Sequence, residues 1–186
     1  MVEPRFLDKG AATSAMRDTA RAVTAALARH NIPHLVAGSL VVQEYGYPGV
    51  TLDVDIIVPD VLQAAKIATT DSTRHWARAA GVPTRLQDTR HGVIIDLRPA
   101  GKVLQTGCKV PFPNPTVVSD QLKFVMLEQL ISLKLDSWSI SPVRRLADKA
   151  HVVELMIRRE LPRDLGIHLA VRDIYLETWD ALQVEK

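Results

Sequence analysis

The sequence predicts an α+β fold, a mixed β-sheet flanked by helices and followed by a mainly helical C-terminal part. Three observations carry this expectation. The runs Val54–Val58 and Val93–Ile95 are rich in β-branched residues, which favour strands. An amphipathic helical pattern precedes both of them. From Met126 onward the strand signals stop and apolar residues recur at helical spacing. The division falls at an α/β core with an N-terminal helix, residues 1–118, and a helical part, residues 119–186, packed on that core.

Residues 12–30 read as the first helix. Met16, Ala20, Val23 and Leu27 form its apolar stripe, with Arg17, Arg21 and Arg29 off it. Asn31-Ile32-Pro33 ends it. His34–Ala37 reads as a short buried strand, Gly38-Ser39 as a turn, and Leu40–Tyr45 as a short helix closed by a Gly46–Gly49 turn. Asp53–Val58 is a strand, and Pro59-Asp60 starts a helix to about Thr69. Asp71–Ala80 reads as a further helical stretch. Thr84–Gln87 and Gly92–Leu97 form a hairpin around Asp88–His91. Lys102–Val110 reads as an edge strand, and Pro111, Pro113 and Pro115 make an irregular link. Gln121–Val125 is the last strand. Helices follow from Met126, from Pro142 and over His168–Leu182.

The 186 residues suit one domain that buries about 70% of its unfolded surface. A formal charge of +2 neither demands nor excludes RNA. One cysteine, Cys108, allows no intrachain disulfide, which points to a reducing cytoplasm. Met1–Gly10 has no signal-peptide core, and no apolar run approaches the roughly 20 residues of a membrane span.

The chemistry concentrates at Gly38-Ser39 and Asp53-Val54-Asp55. Strand side chains alternate faces, so Asp53 and Asp55 point the same way. At about 4 Å and an effective dielectric near 20 their repulsion is on the order of 4 kcal/mol, which a cation or water must relieve. Asp96 ends a similar apolar strand. If that strand lies beside 53–58, the carboxylates Asp53, Asp55 and Asp96 converge as hard oxygen ligands suited to Mg²⁺. Two such ions would clamp the attacking and leaving oxygens of a phosphoryl displacement. Gly38 lets a phosphate approach the backbone, and the Ser39 hydroxyl and nearby N–H groups bind its oxygens.

A Gly-Ser pair after a strand, Asp-x-Asp after the intervening residues 40–52, and Asp96 on a later strand together resemble the nucleotidyltransferase superfamily, whose fold is that of DNA polymerase β. Leu127–Leu135, with Lys134, is similar to a lysine-bearing helix of the abortive-infection and small-molecule branches. Arg145-Leu-Ala-Asp148 resembles the Arg-x-x-Asp that follows it. The resemblance covers roughly residues 33–160. It implies a nucleotide site with Gly38, Ser39, Lys134 and Asp148, the lysine near the phosphates and the aspartate in support. It implies Asp53, Asp55 and Asp96 as catalytic metal ligands, with Mg²⁺ or Mn²⁺ as cofactor and an NTP as substrate. The activity implied is transfer of a nucleoside monophosphate to an acceptor: a small molecule, a tRNA or a protein. Some of these branches are toxin–antitoxin components. Two departures stand out. Pro48–Leu52 carries no arginine before the first aspartate, and His151 stands where many members have a second aspartate.

Other readings stand beside this one. Asp53 and Asp55 also suit a solvated strand end. Arg98 shares a face with Asp96, which suits a simple ion pair between them. Lys134 suits an exposed helix position, and Asp148 a bond to Arg144 or Arg145. As a whole, the chain also suits a catalytically inactive nucleotide- or partner-binding module. A weaker reading puts RNA on Arg144, Arg145, Arg158, Arg159 and Arg163. The six histidines show no metal-ligand spacing.

Overall fold

Five short strands, β1 (Leu35–Ala37), β2 (Asp53–Val58), β3 (Trp76–Arg78), β4 (Arg85–Asp88) and β5 (Ile94–Pro99), form one mixed sheet. Their spatial order is β1-β2-β5-β4-β3. The computed structural model describes residues 9–47, 51, 53–70, 75–78 and 81–184. Among these five strands β2 and β5 run parallel, and the other three pairings are antiparallel. The parallel pair lies inside the sheet, and Val54, Ile56, Ile57, Val58, Ile95 and Leu97 are all buried. Parallel strands are normally covered on both faces, and their near-continuous apolar runs reflect that.

The helices are α1 (Lys9–Arg29), α2 (Ser39–Glu44), α3 (Val61–Thr70), α4 (Leu127–Ile140), α5 (Leu146–Arg158) and α6 (Arg172–Val184). α1 packs across β2 and against α3, and its stripe of Met16, Ala20, Val23 and Leu27 is buried. Asp60 caps α3, accepting from the N–H groups of Leu62 and Gln63 at 2.9 and 3.0 Å. α4 packs on α5. Leu130, Ile131 and Leu135 of α4 and Val152 and Leu155 of α5 join the same hydrophobic cluster as the sheet. A short 3₁₀ turn, Leu169–Val171, leads into α6, whose Tyr175 is fully buried. Among the described residues no helix is long and apolar enough to cross a membrane.

The structure corrects several elements. The helix expected over Asp71–Ala80 is a strand at Trp76–Arg78; residues 71–74 and 79–80 lie outside those described. Trp76 turns inward while Ala77 and Arg78 face out, and β4 supplies the ladder by pairing Trp76 with Asp88. Lys102–Val110 is an irregular loop with one bridge, Val103 to Pro111, in place of an edge strand. Gly101 and Gly107 have positive φ, which breaks extended backbone, and the amides of Lys109 and Val110 donate to Asp136 instead of to a neighbouring strand. Gln121–Val125 touches the sheet only around Phe124: Val36 N–H donates to Lys123 O at 2.7 Å, and Val125 N–H to Val36 O at 3.0 Å. Pro142 begins a run of turns, and α5 starts only at Leu146. Pro48 and Gly49 of the expected Gly46–Gly49 turn lie outside the described residues, as do residues 1–8.

Candidate functional site

One wall of the site is built by β1, β2 and the turn between β1 and α2. Antiparallel pairing sets Ala37 opposite Asp55, so the next residue, Gly38, lies under the Asp55 carboxylate. Gly38 has φ 75° and ψ −153°. That region is essentially reserved for glycine, and a Cβ there would run into Asp55 Oδ2. Asp53 and Asp55 are half-buried on one face of β2, while Val54 and Ile56 are buried on the other. Thr51 Oγ1 donates to Asp53 Oδ1 at 2.7 Å.

The neighbouring strand decides the electrostatics. The parallel register puts Asp96 beside Asp55, and the antiparallel register with β4 puts Arg85 beside Asp96. Arg85 holds Asp96 in bidentate fashion, Nε to Oδ1 at 2.7 Å and Nη2 to Oδ2 at 2.9 Å. Arg98, two residues along β5, donates Nε to Asp55 Oδ1 at 2.7 Å and Nη2 to Asp96 Oδ2 at 3.1 Å. A guanidinium fork thus bridges two carboxylates that would otherwise repel. Burial pushes the Asp55 carboxyl up from its ordinary value, and the Arg98 charge opposes that shift. The bond to Asp96 raises the Arg85 guanidinium still further.

The opposite wall comes from α4 and α5. Lys134 is only 5% exposed, and its ammonium donates to Asp148 Oδ1 at 2.8 Å. One helical turn on, Ser137 is 3% exposed and its Oγ has no hydrogen-bond partner. A cleft of about 120 Å³ opens between the two walls. Gly38, Ser39, Asp53, Asp55 and Arg98 line one side, and Lys134, Ser137, Arg145 and Asp148 the other; Phe112 and Leu130 supply apolar floor. Larger cavities exist, including one of about 480 Å³ beside Met156, Leu161 and Trp179. That one is mostly apolar and holds no cluster of opposed charges, so the chemistry points to the smaller cleft.

The donor set bears on a metal ion. Among the described residues no three His, Cys, Asp or Glu side chains come together as a ligand group. Asp96, 5% exposed, is held by two guanidiniums. Asp53 and Asp55 do line the cleft. Mg²⁺ is commonly held by one or two carboxylates plus substrate phosphates and water, and this pair fits such an ion.

The sequence-predicted residues therefore divide. Gly38, Ser39, Asp53, Asp55, Lys134 and Asp148 meet at one cleft, whereas Asp96 lies beside Asp55 with its oxygens directed at arginines. Lys134 is not the exposed helix residue of the alternative reading, and the bond of Asp148 runs to Lys134. Arg98 does pair with Asp96, and it reaches Asp55 as well. The sequence patterns do not mark Arg85 or Ser137 as site residues. Arg85 carried no motif signal, and the i, i+3 spacing from Lys134 could have flagged Ser137. His151 packs tilted against Tyr47, ring centroids 5.4 Å apart. Burial and the Lys134 charge push it down to about 4, against the pull of Asp148. No protein-family model matches the chain, and no curated protein matches it.

Proposed function

We propose that the cleft binds a nucleoside triphosphate with a divalent cation and transfers its nucleoside monophosphate to an acceptor hydroxyl, releasing pyrophosphate. The observation that carries this reading is the meeting of Gly38-Ser39, Asp53 and Asp55 with Lys134 and Asp148, brought from distant parts of the chain to one small cleft. At about 120 Å³ it is smaller than the roughly 300–1,000 Å³ of pockets that enclose a whole small molecule. It suits phosphates and a cation, with base and sugar at the mouth.

Asp53 and Asp55 would hold Mg²⁺, or Mn²⁺ in its place. When bound, such an ion neutralises phosphate charge and polarises the phosphorus under attack. Gly38 and Ser39 line the cleft, where the Gly38 backbone and the Ser39 hydroxyl receive phosphate oxygens. Lys134, held in place by Asp148, and Arg145 offer positive charge from the other wall. The unpartnered Ser137 hydroxyl adds a donor. Most of the rate then comes from positioning and charge neutralisation.

The test is a thermal-shift screen of the four NTPs with and without Mg²⁺, on the wild type and on Asp53→Asn/Asp55→Asn, followed by a pyrophosphate-release assay. A metal-dependent shift lost in the variant supports the reading; no shift with any NTP refutes it. A second reading, a nucleotide-binding module without turnover, draws on one observation, the hold of Arg85 and Arg98 on Asp96. NTP·Mg²⁺ binding with no pyrophosphate released across small-molecule, tRNA and protein acceptors would favour it.

A further inference from the structure

The bridge between Asp55 and Asp96 has a geometry that carries further. It rests on the nucleotide–metal reading above. In two-metal phosphoryl-transfer sites the ions sit about 3.5–4 Å apart and are clamped by carboxylates placed side by side. Here the side-by-side pair is Asp55 and Asp96, registered across parallel strands. A charged group already spans it: Arg98 bonds Asp55 at 2.7 Å and Asp96 at 3.1 Å.

One feature keeps that guanidinium in place. Asp96 is buried and gripped by Arg85, which fixes its carboxylate with Oδ2 presented to Arg98. Asp53 differs: its carboxylate takes a bond from the neutral Thr51 hydroxyl and lines the cleft.

We propose that Arg98 is a built-in cation occupying the place where a second divalent ion would bridge Asp55 and Asp96, so that the cleft takes a single divalent ion with its nucleotide. Asp53 and the cleft-facing side of Asp55 hold that ion. Arg98 supplies a fixed positive charge between the two carboxylates through hydrogen bonds, and Arg85 and Asp96 are positioning residues for it.

The experiment counts Mn²⁺ by electron paramagnetic resonance, using a non-hydrolysable α,β-methylene analogue of the NTP that gives the thermal shift. Wild type, Arg98→Met and Arg98→Lys are compared, each first shown to be folded by circular dichroism. The expected result is one Mn²⁺ per bound nucleotide in the wild type and in Arg98→Lys. Arg98→Met is expected to bind two, with the spectral broadening of a close Mn²⁺ pair. Two ions in the wild type, or one in Arg98→Met, would overturn the proposal. If Arg98→Met does not fold, the wild-type count decides alone. Absence of any nucleotide-dependent Mn²⁺ binding to the wild type would instead overturn the nucleotide–metal reading itself.

Discussion

Replacing Gly38 with alanine adds one methyl group, and the structure shows where it goes. The backbone sits at φ 75° and ψ −153°, a region that costs a side-chain-bearing residue about 1–3 kcal/mol. The new carbon would also lie 3.0 Å from Cγ and 3.2 Å from Cβ of Asp55, and nearer still to Oδ2. Asp55 cannot yield freely, because Arg98 Nε holds its other oxygen at 2.7 Å. Overpacking of this kind adds roughly 1–3 kcal/mol. A combined loss of about 3 kcal/mol lowers the melting temperature by roughly 6–12 °C in a chain of this size. The two contributions separate in a double-mutant cycle. With Asp55→Ala in place the clashes with Oδ2 and Cγ vanish and only the approach to Cβ at 3.2 Å remains, so Gly38→Ala should cost markedly less. Urea unfolding measures both. Equal losses in the two backgrounds would show that the carboxylate does not rest on Gly38, and no loss in either would refute the backbone argument as well. On the proposed function, Gly38→Ala also abolishes the NTP·Mg²⁺ thermal shift, worth about 2.7 kcal/mol at a hundredfold excess over Kd.

Lys134→Met leaves Asp148 without its partner in a largely buried pair, with side chains 6% and 17% exposed. A loss of about 3 kcal/mol is expected in urea, largely recovered in Lys134→Met/Asp148→Leu; an unrecovered double variant would count against the pairing. Asp136→Ala removes the acceptor from the amides of Lys109 and Val110. It should cost about 3 kcal/mol and speed hydrogen exchange at those two amides, whereas unchanged exchange would show that the carboxylate does not hold the loop. His151 gives a pH signature. Burial first, and then the Lys134 charge, lowers it from 6.5 to about 4. The unfolded chain takes up this proton below pH 6.5 while the folded chain resists it. Stability is therefore full above that value and falls by about 3 kcal/mol as pH drops toward 4. His151→Gln should flatten that window in melts run at several pH values; an unaltered slope would assign it to other groups.

How far the sequence reaches depends on the range of the interaction involved. Local patterns read true. The stripe of α1 is dictated by helical periodicity, and Asp53 and Asp55 share a face because strand side chains alternate. The hairpin of β4 and β5 follows from two short runs flanking a polar turn. Trp76–Arg78 failed for a physical reason. Three residues carry too little period to distinguish strand from helix, and their conformation is imposed by β4. Lys102–Val110 failed because its amides found a carboxylate on a distant helix, a bond no local pattern records.

The sequence by itself determined the α+β class, the placement of Gly38, and the shared face of Asp53 and Asp55. All of these rest on backbone sterics and periodicities that act over a few residues. Tertiary structure alone decided that Asp96 lies in parallel register beside Asp55, that Arg85 and Arg98 claim its oxygens, and that Lys134 is buried against Asp148 across the cleft. Those pairings depend on which strands become neighbours and on how α4 and α5 pack. A charge carries no mark in the chain of the partner it will meet; only the assembled sheet and helices bring the two within hydrogen-bonding distance.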